Sequence, residues 1–312
     1  MEPQLTAMHT IFILDTMNER SVGILEQRND RFIADVTSQL EGIPVEFISL
    51  GAEAVPLRHK FRVVVDRLSF RYPFLREIMK SMALDGTYVI NNPFAASVTN
   101  KLVEIRIGIN LGLPFPRTIV LPDQTATDDM DGNVLKPDLD RVAEELGIPC
   151  ILKPFDGYAW QDVYIVRSAD ELKNMYSALS QRSILLAQQL IKYKDYFRVF
   201  CFDKKDVLFV RWIPRPFSMG QYLHCSPADI PGKTEILKEL TITINRALDF
   251  DVNVTEWCID EEEKWWVIDT FNEVPEILAE ALPPDSYAWI VDRFSACIKD
   301  KLVSGKTNRT LQ

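Results

Sequence analysis

Two acidic residues stand where a hairpin would set them face to face. Glu256 lies in the apolar run VNVTEWCI and Asp269 in WWVID, with the polar stretch DEEEK between them. Pairing the strands about the middle of that turn puts Ile259 opposite Trp266 and Glu256 opposite Asp269. Like charges opposed on a ladder are destabilising. The pair is therefore either exposed decoration near a turn or a platform for a divalent cation with a phosphate beyond it. Asn272, three residues after Asp269, offers a third oxygen, whereas Asp260 to Glu263 read as turn acids only.

Cations that could meet such a platform come from three separate places. Lys153 follows the apolar CIL and precedes a proline and the Asp156-Gly157 turn. An ammonium at a buried strand's edge must snorkel, pair or bind an anion. The loop behind it, Asp156 to Asp162, contains only Gly157, so it lacks the bare N–H groups of a phosphate nest. Neither GxxxxGK[ST] nor GxGxxG is present. Lys101 falls in the first turn of an expected helix, where a cation opposes the macrodipole unless an anion compensates. A phosphate there would satisfy both the lysine and the free N–H groups, and a solvated lysine is the other reading. Arg198 and Arg211 sit on neighbouring expected strands joined by FDKKD, with Arg215 just beyond. A guanidinium suits a planar carboxylate or a transferring phosphoryl group, and at least one of the three is expected to be a surface ion-pair partner.

Other chemistries are poorly served. With only three histidines and five cysteines lacking any CxxC pair, neither a zinc site nor a histidine relay is expected. A net charge of −10 argues against broad nucleic-acid binding, yet a few converging lysines can still hold a polyanion. No apolar run approaches a membrane span. The start, MEPQLTAMHTIFILD, lacks a basic region and a cleavage-like site, so a cytoplasmic location is expected. A homo-oligomer is compatible with this composition.

The elements that must position these residues alternate strand and helix over 1–95, as expected of an α/β layer. HTIFILD, PVEFISL, FRVVVD and TYVIN read as strands, and SVGILEQRNDRFIADVTSQLEG and YPFLREIMKSMALDG as helices. A second unit, 96–191, opens with the helix ASVTNKLVEIRIGINLG, capped by Thr99 or Asn100. It continues through a polar loop at Ala126 to Asn133, the helix PDLDRVAEELG, the strands PCILKPF and DVYIV, the helix SADELKNMYSALS and the strand SILLAQQLI. In that last helix Ser168 and Glu171 form a capping box. A third unit, 192–312, holds the strands DYFRVFCFD and KDVLFVRWI, the helix KTEILKELTITINRALDF, the acidic hairpin and a helix over Asp285 to Lys301.

In this order the pieces resemble the ATP-grasp superfamily, especially ligases similar to the ribosomal-protein glutamate ligase and bacterial glutathione synthetase. A helix-start lysine is followed by GLPFPRTIVLP, ILKPFDG, LAQQLI, DYFRVF, VRWIPR and WVIDTFN, from about residue 60 to 280. The resemblance implies an α+β ATP-grasp fold with an N-terminal α/β domain, a small central lid and a C-terminal antiparallel-sheet domain. It implies ATP and Mg2+ as cofactors, with Lys101 and Lys153 on the nucleotide phosphates under a loop opened by Gly157. Gln188, Gln189, Leu190 and Ile191 would receive adenine, and Asp195 would approach the ribose. Arg198 and Arg211, with Arg215 beside them, would face the transferred phosphate; Glu256, Asp269 and Asn272 would hold magnesium.

The implied activity joins a small-molecule or peptide carboxylate to an amine, or a thiol, through an acylphosphate. Two departures matter. Trp160 and Asp162 stand where the family's loop carries later glycines, and the usual acid-x-Asn spacing is stretched to Asp269-x-x-Asn272. They keep in view a catalytically weak nucleotide-binding or structural protein, and a small-molecule kinase of the same fold is the other alternative.

Overall fold

Among the described residues three sheets carry the fold, one parallel and two antiparallel. The computed structural model describes residues 18–53, 61–129, 132–157, 161–213, 221–225, 230 and 233–309. In the first sheet β1 (Asn18–Leu25), β2 (Val45–Phe47), β3 (Phe61–Asp66) and β4 (Tyr88–Ile90) are ordered β2-β1-β3-β4. The expected strand HTIFILD lies outside the described residues.

The long helix expected from Ser21 is corrected: Ser21 to Leu25 belong to β1, and α1 covers only Arg31–Ser38. Val22 and Ile24 are fully buried in a strand paired on both sides. A strand covered on both faces reads as a continuous apolar run, which periodicity alone does not separate from a helix. Asp30 sets the true helix start, its carboxylate accepting from the Ile33 N–H at 2.8 Å.

After α2 (Pro73–Leu84), the single helix expected over 96–112 is two, α3 (Pro93–Val98) and α4 (Lys101–Asn110). Asn100 divides them by accepting from the N–H groups of Leu102 and Val103, both at 3.1 Å. Lys101 is thereby fixed as the first residue of α4. At Gly108 a Cβ would come 2.1 Å from the Phe115 ring, so glycine lets α4 lie against the crossover that follows.

The second sheet contains β5 (Thr118–Leu121), β6 (Cys150–Pro154), β7 (Tyr164–Val166) and β8 (Leu185–Gln189), ordered β5-β8-β6-β7. A short helix, α5 (Gln124–Asp129), occupies part of the expected polar loop, ahead of α6 (Leu139–Leu146) and α7 (Ala169–Leu179). Helices α6 and α7 bury one face of this sheet with Cys150, Leu152, Leu185 and Ala187. The register leaves Thr118, Val120, Ile151, Lys153, Ile165, Leu186 and Gln188 together on the other face.

The third sheet, ordered β11-β10-β9-β12-β13, joins β9 (Tyr193–Phe202), β10 (Asp206–Ile213), β11 (Gln221–Leu223), β12 (Val252–Asp260) and β13 (Trp265–Asp269). On one face, α8 (Thr234–Leu248) contributes Leu237, Ile244 and Leu248 to a core with Phe197 and Trp257. On the other, α9 (Pro284–Ser304) shares one core with the first sheet. Phe294 of α9 stacks on Phe32 of α1 at 5.6 Å and meets Phe202 of β9 at 6.0 Å.

Phe294 is 2% exposed. Phe294→Ala is expected to remove about 3–5 kcal/mol of unfolding free energy, the usual loss for a core phenylalanine. Urea denaturation checks this, and a loss under about 1 kcal/mol would contradict a shared core. Among the described residues no helix is long and apolar enough to cross a membrane.

Candidate functional site

The hairpin register sets Glu256 directly opposite Asp269, as the sequence led us to expect. Nearer the turn the pairing differs by one residue: Ile259 faces Trp265, and Cys258 faces Trp266. A bulge between Glu256 and Trp257 absorbs the difference and restores the acidic pair.

Each carboxylate is held by a cation. Lys101 Nζ lies 2.6 Å from Asp269 Oδ2, so the start of α4 is tied to the end of β13. The Lys101 N–H also donates to the Phe155 carbonyl at 3.1 Å, drawing the end of β6 and its Lys153 to the same place. Opposite, Glu256 Oε1 accepts from Arg198 Nε and Nη2 at 3.0 and 2.8 Å, and its Oε2 from the Tyr196 hydroxyl at 2.5 Å. Arg198 donates further to the Tyr222 hydroxyl at 2.5 Å and lies 3.9 Å from the centre of the Trp212 ring. Its guanidinium is thus fixed in plane and direction.

Charge and burial set the protonation of the cluster. Burial pushes Lys153 down, the nearby Lys101 ammonium adds to this, and its pKa falls to about 8. For Lys101 burial acts the same way, but Asp269 and Glu104 outweigh it and hold the ammonium above its ordinary value. Burial pushes Asp269 up, and Lys101 and Lys153 more than offset this, leaving it below the usual carboxylate range. Glu104 is 1% exposed, and burial followed by the Asp269 charge raises it well above the ordinary value.

Gln188, expected on the strand that receives adenine, lies on β8 beside Lys153. It is 3% exposed, and its amide is committed to Lys153 Nζ at 3.0 Å and to Thr118 Oγ1 at 2.8 Å rather than turned to an open edge. Gln189 donates its N–H to the Arg117 carbonyl at 2.9 Å, and Leu190 and Ile191 follow in the link to β9. The Gly157 N–H reaches the Pro154 carbonyl at 3.5 Å; Trp160 lies outside the described residues, and Asp162 has a positive φ of 53°.

Arg211 is not brought to the acidic pair. Arg198 pairs with Val210 and Arg211 with Phe197, so the two arginines lie on opposite faces of the sheet. There Arg211 joins Asp195 in an ion pair at 3.2 Å. Arg215 lies outside the described residues. The Asn272 N–H donates to Asn253 Oδ1 at 2.8 Å, and its side chain makes no hydrogen bond among the described residues. Nor do those residues contain a cluster of three His, Cys, Asp or Glu side chains ready to hold a metal.

Sequence reasoning overlooked Glu104, Thr118, Tyr196, Trp212 and Tyr222. Only Glu104 carried a signal: it lies three residues after Lys101, on the same helix face.

Solved structures share this architecture. D-alanine–D-alanine ligase from Bacillus anthracis, complexed with ATP, superposes with a TM-score of 0.65 at 14% identity, covering 91% of this chain and 97% of that one. A RimK domain protein of the ATP-grasp type from Sphaerobacter thermophilus gives 0.65 at 16% identity, covering 91% and 99%. The ATP-grasp ligase PsnB, complexed with a minimal precursor, Mg and ADP, gives 0.62 at 18% identity, covering 91% and 100%. No family model matches the sequence, and no curated relative does. The chain has the ATP-grasp fold: a parallel α/β layer and two antiparallel sheets with the charged cluster between them.

Proposed function

We propose that the protein is an ATP-dependent ligase that activates a carboxylate as an acylphosphate and joins it to an amine or thiol. One observation carries this reading: cations from α4, β6 and β9 converge on the opposed Glu256 and Asp269. The solved structures of the same fold that contain ATP, or ADP with Mg, support it.

Under this reading Lys101 and Lys153 bind the nucleotide phosphates, and the apolar Val120, Ile151 and Ile165 on the same face as Lys153 offer a surface for the base. Leu190 and Ile191, in the link between β8 and β9, would meet the base from the side of the third sheet. Arg198, held by Glu256, Tyr222 and Trp212, presents a fixed guanidinium to the group being transferred and needs no reorganisation as charge develops. A substrate carboxylate oxygen attacks the γ-phosphorus as the bond to ADP breaks. The amine then attacks the acyl carbon, loses its proton, and phosphate leaves. A second sheet with its own core can close over the third as a lid and keep water from the acylphosphate. The division at 95 and 191 belongs to the same reading.

Magnesium fits the donor set on the hairpin. Asp269 is kept ionised by its lysines, Glu256 stands opposite in register, and a hard cation of this size takes one or two carboxylates plus phosphate and water. When bound, it would neutralise phosphate charge. Asn272 would be the outer member of the set.

Nucleotide binding without turnover has one observation in its favour, that both carboxylates already have cation partners. Incubation with ATP, magnesium and a panel of carboxylates with amines decides. ADP, phosphate and a new amide support the ligase, whereas ADP with a phosphate ester indicates a kinase. Saturable ATP binding with no ADP indicates a binding protein. PsnB is complexed with a precursor peptide and the D-alanine ligase is named for a small molecule, so the panel spans both.

A further inference from the structure

Beyond Asp269 the chain leaves the sheet, and side chains take over the hold on it. Thr270 is 1% exposed. Its N–H and hydroxyl both donate to Glu104 Oε2, at 2.9 and 3.0 Å. Its carbonyl accepts from Asn253 Nδ2 at 2.7 Å, and Asn253 Oδ1 takes the Asn272 N–H at 2.8 Å. The segment from Asp269 to Asn272 is therefore clamped from α4 on one side and from β12 on the other.

We infer that Glu104 is the positioning residue of this site, holding the end of β13 so that Asp269 stays against Lys101. The inference rests on the ligase reading above and adds a residue to it. Glu104 and Lys101 lie one turn apart on α4, whose start is fixed by the Asn100 cap. A single rigid helix thus presents a cation to Asp269 and an acceptor to the very next residue. Without the acceptor, the buried Thr270 N–H loses its partner and the strand end must move to recover one. A shift of that kind acts on the chemical step, because reacting groups tolerate little misplacement.

The test compares wild type, Glu104→Leu and Glu104→Gln in the full chain, reading kcat, KM for ATP and thermal midpoint. Leucine keeps much of the volume and removes the acceptor, whereas glutamine keeps an acceptor oxygen and removes the acid. E104L is expected to lower kcat about ten- to thirtyfold at nearly constant KM, the signature of an interaction used in the transition state. E104Q is expected to recover to within about threefold of wild type.

A kcat for E104L within about threefold of wild type would overturn the inference, as would an E104Q variant as impaired as E104L. Should E104L fail to fold, Thr270→Val decides: a loss of about threefold in kcat supports the clamp and an unchanged kcat overturns it. Should wild type show no turnover, the ligase reading fails, and hydrogen exchange at the Thr270 amide becomes the readout. Faster exchange in E104L but not in E104Q supports the clamp, and equal exchange in all three overturns it.

Discussion

Asp269→Asn is expected to lower ATP turnover about 100- to 1,000-fold, the loss that follows removal of one preorganised electrostatic group from a reacting centre. Asparagine has nearly the same shape and keeps an oxygen for the Phe271 N–H, which Asp269 Oδ1 accepts at 3.1 Å. What it removes is the charge. Lys101, now 2.6 Å from a carboxylate oxygen, would face a neutral amide, and its repulsion of Lys153 would lose its counterweight. The hairpin ladder and both cores of the third sheet do not depend on that charge, so the fold should persist. ATP turnover at saturating substrates, with thermal unfolding as control, is the measurement. Unchanged turnover in a folded variant would remove Asp269 from the metal platform.

That the acidic pair was legible at all follows from two short apolar runs flanking one polar turn. The apolar runs VNVTEWCI and WWVID, and a turn too polar to be anything else, fix the two strands to within one residue. The remaining residue of uncertainty is absorbed by the bulge beside Glu256, which has no signature in the side-chain pattern. A similar single-residue question decided Arg211. Asp206 pairs with Phe202, leaving three residues in the β9–β10 turn, and two of them, Asp203 and Lys204, have φ of 52° and 57°. Changing the turn by one residue would pair Arg198 with Arg211 and put both on the same face. Neither residue advertises a positive φ as glycine would, so the face could not be read.

Glu104 was missed for a different reason. Its spacing from Lys101 puts both on one helix face, yet an acid on a helix reads as solvated, and its burial shows only in the tertiary structure, where it meets Thr270. The strand at Ser21 to Leu25 failed through burial on both faces. Other strands buried on both faces, β3 and β12, were read correctly because turns bound their apolar runs, whereas the run at Ser21 to Leu25 continues into a helical pattern.

Lys153→Met is expected to weaken nucleotide binding by about 10- to 100-fold, since a hydrogen bond to a charged group contributes about 1.5–3 kcal/mol. Methionine retains the unbranched stem in a strand that is already buried, so the change is close to the removal of one ammonium. The Lys153 side chain is well placed to show this effect. Gln188 holds its ammonium at 3.0 Å, and Thr118 in turn holds Gln188, so little freedom is lost when an anion arrives. Titration with a fluorescent ATP analogue measures the loss, and equal affinity in the two proteins would take Lys153 off the phosphates.

The pH dependence of the same titration gives an independent check. Burial and then Lys101 bring Lys153 to about 8, from an ordinary 10.5. Only the protonated form attracts phosphate, so wild-type affinity should fall as pH rises through 8, while the methionine variant lacks that step. Folding stability moves the opposite way. Between about 8 and 10.5 the unfolded chain holds the Lys153 proton that the native protein has released, so this lysine makes the protein more stable as pH rises across that window. A fall in affinity accompanied by a rise in stability separates loss of the binding cation from loss of the fold, which would lower both.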